Sequence, residues 1–261
     1  MTIKVPEITA LFWAIKLTTT ALGEAASDYL VRVMDPVIAV GATFLVFAAV
    51  LAAQLLARRY HPWLYWLAVT MVAVFGTMAA DVLHVALGVS YLESSIGFAV
   101  ILAAVLIAWH RAQRTLNIHS IDTTPRELFY WATVSAAFAL GTAAGDLFAT
   151  EFHLGYPGSA AVFAAVILIP WGGFRLARWN AVGSFWFAYI VTRPLGASFA
   201  DWLGADRSAS GLGVGHGPVS LILLAFVVVL VLFLRHDDRG PLEVQHDRVA
   251  HRPEEEALDA P

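Results

Sequence analysis

The sequence predicts an all-α polytopic membrane protein of eight transmembrane helices, laid out as four parallel two-helix repeats. Three observations lead there. Of 261 residues, 59% are hydrophobic and 14% charged, and mean hydropathy is +0.70, a membrane rather than a soluble composition. The pattern W-x9-G-x4-D occurs four times without a gap. Lys and Arg fall almost wholly on one side of the apolar runs.

The repeat comes first because a fixed internal pattern decides the fold. Its copies are Trp13 to Asp28, Trp66 to Asp81, Trp131 to Asp146 and Trp186 to Asp201, with Gly23, Gly76, Gly141 and Gly196 between. Successive starts lie 53, 65 and 55 residues apart, enough for two spans each. The odd spans carry the repeat, near 7–31, 63–84, 127–149 and 182–203. The even spans lie near 37–57, 93–109, 158–177 and 218–235. All should be helical, because lipid cannot satisfy exposed backbone groups. Residues 1–235 thus form one eight-span domain, with repeats near 7–57, 63–109, 127–177 and 182–235. Residues 236–261, rich in Asp, Glu, Pro and Arg, read as a disordered cytoplasmic tail.

Orientation follows from the bases. Twelve Lys and Arg flank one side: Lys4, Arg58, Arg59, Arg111, Arg114, Arg126, Arg175, Arg178, Arg235, Arg239, Arg248 and Arg252. Arg32 and Arg207 flank the other, while Lys16 and Arg193 lie within spans. The positive-inside rule then places both termini in the cytoplasm of a multi-pass inner-membrane protein. The first apolar run, from after MTIKVPE to Val31, is too long for a cleavable signal.

Several classes fall away. Zero cysteines exclude disulfides and thiolate chemistry. Residues 235–261 hold eight acids and four bases, so the net charge of −4 belongs to the tail and no basic field for nucleic acid exists. No nucleophile, zincin or dinucleotide motif appears, so the chain reads as a non-enzyme without a cofactor. GLGVGHG at 211–217 follows no strand, and reads as a flexible outer loop.

The repeat positions carry different expectations. The tryptophans should anchor at the membrane interface. The glycines, set among small residues, should let helices pack closely. Trp to Asp spans roughly 22 Å of helix, so each Asp lies inside the hydrocarbon near the far interface, where an ionisable residue suggests function. Asp28, Asp81, Asp146 and Asp201 could line a cation or proton path, or could be structural, each capping a loop or the next helix.

The repeats also depart from their own rule. Glu24 stands one turn before Asp28, as Thr77 does before Asp81 and Thr142 before Asp146. His84 extends the Thr77–Asp81 stripe, which widens a hard-cation site toward Mn or Zn. Lys16 lies eight residues before Glu24, and Arg193 eight before Asp201 and just before Pro194. These charges either line a path or neutralise each other across helices as Lys16–Glu24 and Arg193–Asp201. Of the other histidines, His61, His110, His119, His236, His246 and His251 lie in cytoplasmic segments and read as solvated, while His153 and His216 lie outside.

At KVPEITALFW, at GEAASDYL from Gly23 to Leu30, and in the fourfold W-x9-G-x4-D, the chain resembles the bacterial membrane-anchored proteins built from four tandem two-helix repeats. These are catalogued as a repeat of unknown function with a characteristic tryptophan. The resemblance covers about residues 4–235, implies eight spans and a membrane location, and transfers no activity. The expected function is transport of a small cation or proton-coupled solute through odd helices facing a common axis. The alternative is a scaffold or sensor with structural aspartates.

Overall fold

A computed structural model describes the backbone of residues 3–237 and the side chains of residues 3–234. The helices are α1 (Ala10–Val33), α2 (Pro36–Leu56), α3 (Pro62–Val85), α4 (Tyr91–Gln113), α5 (Thr124–Asp146), α6 (Gly155–Val166), α7 (Leu168–Leu176), α8 (Ala181–Gly204) and α9 (His216–Asp237). A π-helical turn, Leu147–Glu151, prolongs α5. The expected span boundaries are met within a few residues, but the sixth span is two helices broken at Ile167. Pro170 has no N–H to bond the carbonyl four residues earlier, which accounts for a break there. The expected disordered tail lies outside the described residues, apart from 236 and 237, which finish α9.

Among the described residues, six helical segments are long and apolar enough to cross a membrane: α2, α3, α4, α5 with its π turn, α6 with α7, and α9. The exceptions are α1 and α8. They carry Lys16 and Glu24, and Arg193 and Asp201, within their lengths.

The topology is a closed ring. Helix α1 packs on α3, α3 on α5, α5 on α8, and α8 back on α1. The second helix of each repeat packs mainly on the next repeat's first helix: α2 on α3, α4 on α5, α6 on α8, and α9 on α1. Each repeat is therefore completed by its neighbour, and α9 closes the circle. One unit alone would leave an apolar face bare.

The glycines set the ring's width. A Cβ added to Gly23 would collide with Ala73, one on Gly76 would meet Phe138, one on Gly141 would collide with Arg193, and one on Gly196 with Thr20. Each partner stands three residues before the next copy's glycine. The same close approach is thus made four times, as expected of small residues between helices in lipid.

The tryptophans correct an expectation. Trp66, Trp131 and Trp186 are buried in the core and Trp13 is half-buried, so they are not lipid-facing anchors. The residue before each Trp is aromatic, and it packs on the next repeat's Trp. Phe12 lies 5.6 Å from Trp66, Tyr65 5.7 Å from Trp131, Tyr130 6.1 Å from Trp186, and Phe185 5.7 Å from Trp13, between ring centroids. Such pairs add to area burial, and eight rings together fill one end of the bundle.

Candidate functional site

The site lies along the axis enclosed by α1, α3, α5 and α8. Its layers follow from repeat register, because equivalent positions meet at equivalent depth. Three residues before each glycine stand Thr20, Ala73, Phe138 and Arg193. One residue after it stand Glu24, Thr77, Thr142 and Ala197. The first layer thus holds one cation, and the second one carboxylate and two hydroxyls.

Arg193 joins the two layers. Its Nη2 donates to Glu24 Oε2 at 2.6 Å, to Thr142 Oγ1 at 2.7 Å and to Thr77 Oγ1. Its Nη1 donates to the Thr20 carbonyl at 3.4 Å. Thr77 Oγ1 lies 3.1 Å from Glu24 Oε2 and can donate to it. Arg193 is 0% exposed and Glu24 3%, so this is a dry ion pair within a four-helix network. Gly141 makes it possible: any side chain there would occupy the space of the arginine's own Cβ and Cγ.

Lys16 sits nearer the tryptophan end and is 0% exposed. Its Nζ lies 4.2 Å from the Phe138 ring centroid and 4.3 Å from that of Tyr189. It has no hydrogen-bond partner among the described residues. The two aromatic faces are what attract it. The expected neutralising pairs are therefore corrected. Arg193 pairs with Glu24 on another helix rather than with Asp201 on its own, and Lys16 is held by rings rather than by Glu24. Spacing by eight aligns residues along one helix, but the closest charge came from across the ring.

The tryptophan end is closed. Tyr65 and Tyr130 share a hydrogen bond between their hydroxyls. Beyond them, Lys4 Nζ contacts Glu127 Oε2 at 2.6 Å and donates to the Leu55 carbonyl at 3.1 Å, while Gln54 Nε2 donates to Glu127 Oε1 at 3.3 Å. Lys4 and Glu127 are buried. Sequence reading missed this pair, having counted Lys4 only as a topological charge.

The other end is wetter. Asp28, Asp81 and Asp146 are half-buried and Asp201 is buried. All four lie within electrostatic reach of Glu24, and Asp201 of the other three as well. The sequence expectation that they share one end is met. The expectation that they cap the following helices is not met at α2, α4 and α6. Asp35 caps α2, accepting from Val37 and Ile38 N–H at 3.0 and 3.2 Å. Ser90 and Glu93 form a capping box on α4, and α6 has no side-chain cap.

A family model, the Repeat of Unknown Function (DUF347), matches residues 11–60, 64–115, 129–174 and 184–239. The chain belongs to this family. The four matched DUF347 segments coincide with α1–α2, α3–α4, α5–α7 and α8–α9, so the family unit is the helix pair whose members separate in the ring. No curated protein and no solved structure matches the chain.

Two histidines exchange roles relative to the sequence reading. His84 does not join the DUF347 carboxylates: its Nδ1 hydrogen-bonds the Val89 carbonyl at 2.9 Å and its ring stacks on Tyr91 at 3.8 Å. His216, read as part of a flexible outer loop, is 4% exposed and lies with Nδ1 3.3 Å from Asp28 Oδ2. The glycine-rich run before it is not a free loop. Leu212, Gly213, Val214 and Gly215 N–H donate to the carbonyls of Trp202, Ala205, Leu203 and Gly204 at 2.7, 2.9, 3.1 and 3.2 Å. Those carbonyls end α8 and would otherwise lack partners. Gly213 and Gly215 adopt φ of 77° and 89°, which other residues resist. The fold-back carries His216 over Asp28. Two signals for these features were legible: the aromatic before every repeat tryptophan, and a histidine at the first turn of an even helix.

Proposed function

We propose that the chain is an eight-span protein of the bacterial inner membrane with both termini cytoplasmic, and that it moves a small cation or a proton-coupled solute along the axis of its ring. It is not an enzyme in this reading. The path runs from the aspartates, through Glu24 and Arg193, past Lys16 to the aromatic end. The conformation described is closed on the aromatic side.

The observation that carries the proposal is Lys16, a buried amine without a hydrogen-bond partner among the described residues, beside the buried Arg193–Glu24 pair on a shared axis. Charges in lipid-embedded bundles are costly and tend to mark ion or proton paths. Holding a ring together does not call for three of them. Glu24 can be contested: a proton or cation arriving from the aspartates competes with Arg193 for the carboxylate, and its arrival frees the guanidinium to move. Midplane sites at repeat interfaces are how transporters bind.

A second reading is favoured by one specific feature. Arg193 has protein acceptors on three other helices, as a lock would, and a scaffold or sensor could use that lock. The test compares wild type with the double variant Glu24→Gln/Arg193→Gln, which keeps hydrogen bonding and removes both charges. Reconstituted vesicles loaded with a pH-sensitive or Mn2+-sensitive dye report flux. Transport predicts wild-type flux of protons or Mn2+ that the folded double variant lacks. Equal flux in both would make the pair a lock and refute the path. Orientation has its own check. A cysteine near Gln245 should be shielded from an impermeant thiol reagent in intact cells and one at Ser210 should react; labelling of the tail would reverse the topology.

A further inference from the structure

We propose that Asp28, Asp201 and His216 form a binding site for a divalent transition-metal ion at the aspartate end of the ring. One carboxylate oxygen from each Asp and one imidazole nitrogen lie within 4.8 Å of one another. The residues come from α1, α8 and α9, and among the described residues they are the one group of three or more metal-ligating side chains so placed.

The polar atoms here lack other employment. Asp201 is 4% exposed and its Oδ1 has no hydrogen-bond partner among the described residues. His216 is equally buried, and neither ring nitrogen is in hydrogen-bond geometry with a described residue. Native interiors rarely leave such atoms orphaned, and an ion is one recognised explanation. Asp28, whose side chain is 24% exposed, faces His216 with Oδ2 at 3.3 Å, so the group is reachable from the aspartate end. The imidazole also has a prepared seat. A Cβ on residue 204 would lie 2.8 Å from His216 Nδ1, so the ring fits because that residue is glycine.

The donor set selects the ligand. Two carboxylates neutralise a divalent charge. An imidazole beside them favours Mn2+, Co2+ or Zn2+ over Mg2+ and Ca2+, which take oxygen donors. Three protein ligands leave coordination positions open, as exchangeable sites do. None of the other even helices begins with histidine: α2 begins with Pro36, α4 with Tyr91 and α6 with Gly155, and His84 at the α3–α4 corner is engaged by the Val89 carbonyl and the Tyr91 ring. The site therefore belongs to the seam where α9 closes the ring on α1. It does not rest on transport, since binding can be read at equilibrium in a protein that moves nothing.

The test uses tag-free full-length chain in detergent, stripped with a chelator and titrated with Co2+, Mn2+ and Zn2+. One ion should bind per chain, the Co2+ complex should show visible ligand-field bands, and each metal should raise the melting temperature. His216→Ala and Asp201→Asn should each weaken binding by at least about tenfold, in line with losses from disturbed metal sites, and His216→Ala should change the Co2+ spectrum. Gly204→Ala, which displaces the ring, should weaken it too, while Asp122→Asn, which alters a surface ion pair with Arg126, should not. Where His216→Ala fails to fold, His216→Gln and Gly204→Ala carry the comparison. Absence of binding by all three ions, or affinity and spectrum unchanged in the folded His216 and Gly204 variants, would overturn the proposal.

Discussion

Gly23→Ala puts a methyl group where Ala73 already stands. The new Cβ would overlap the Ala73 side chain and lie 2.9 Å from its carbonyl carbon and 3.0 Å from its Cα. Carbon atoms prefer about 3.5–4.0 Å, and the opposing atoms include backbone that cannot rotate aside. Relief therefore needs α1 and α3 to separate by roughly 1 Å, given that preferred spacing. In a closed ring α1 cannot retreat freely, because its Thr20 is seated against Gly196 of α8. Overpacking of this kind costs about 1–3 kcal/mol, while Gly→Ala inside a helix returns about 0.5–1 kcal/mol. The expected net is a loss of about 1 kcal/mol at the middle of both ranges, rising to about 2.5 kcal/mol where the helices relax least. Gly41→Ala and Gly97→Ala serve as controls, since nothing lies within 4 Å of a Cβ at either position; each should gain about 0.5–1 kcal/mol. Gly76→Ala, with Phe138 Cβ at 3.2 Å, should fall between. Thermal unfolding in detergent, followed by tryptophan fluorescence, ranks the four variants. If Gly23→Ala melts at or above Gly97→Ala, the ring is not held at the glycine contacts described.

The buried charges give two further tests. Arg193→Met strands the Glu24 carboxylate in a dry network and should cost about 3–5 kcal/mol, the usual result of removing one partner of a buried pair; adding Glu24→Gln should recover most of it. Equal melting of Arg193→Met and wild type would show that the pair contributes nothing. Lys16→Met removes a buried amine with no hydrogen bond to the described residues, so stability should hold or rise while proton or Mn2+ flux falls. A stability loss as large as that of Arg193→Met would mean the amine has a partner that matters.

Much of the fold was readable locally. Apolar run length marks a span, and the fourfold W-x9-G-x4-D marks which spans are equivalent. The glycines' packing role was also legible, because small residues have few other uses between helices in lipid. The tryptophans misled because the same amphipathic ring suits a membrane interface and a buried aromatic belt, and the aromatic residue before each was the discriminating signal. His84 and His216 misled for a related reason. Proximity in sequence favoured His84, three residues after Asp81, but the α3–α4 turn gives it the Val89 carbonyl and the Tyr91 ring instead.

By itself, then, the sequence determined the helices, their boundaries to within a few residues, the sixteen-residue repeat and the gathering of four aspartates at one end. These follow from hydropathy and helical period, which act within a segment. Only the tertiary structure decided that each even helix serves the next repeat, that Arg193 meets Glu24 rather than Asp201, that Lys16 rests on Phe138 and Tyr189, and that His216 reaches Asp28. Those pairings depend on the order of helices around the ring and on the rotation of each about its own axis. Both are set by where the glycines let neighbours touch, and no spacing along one helix contains that information.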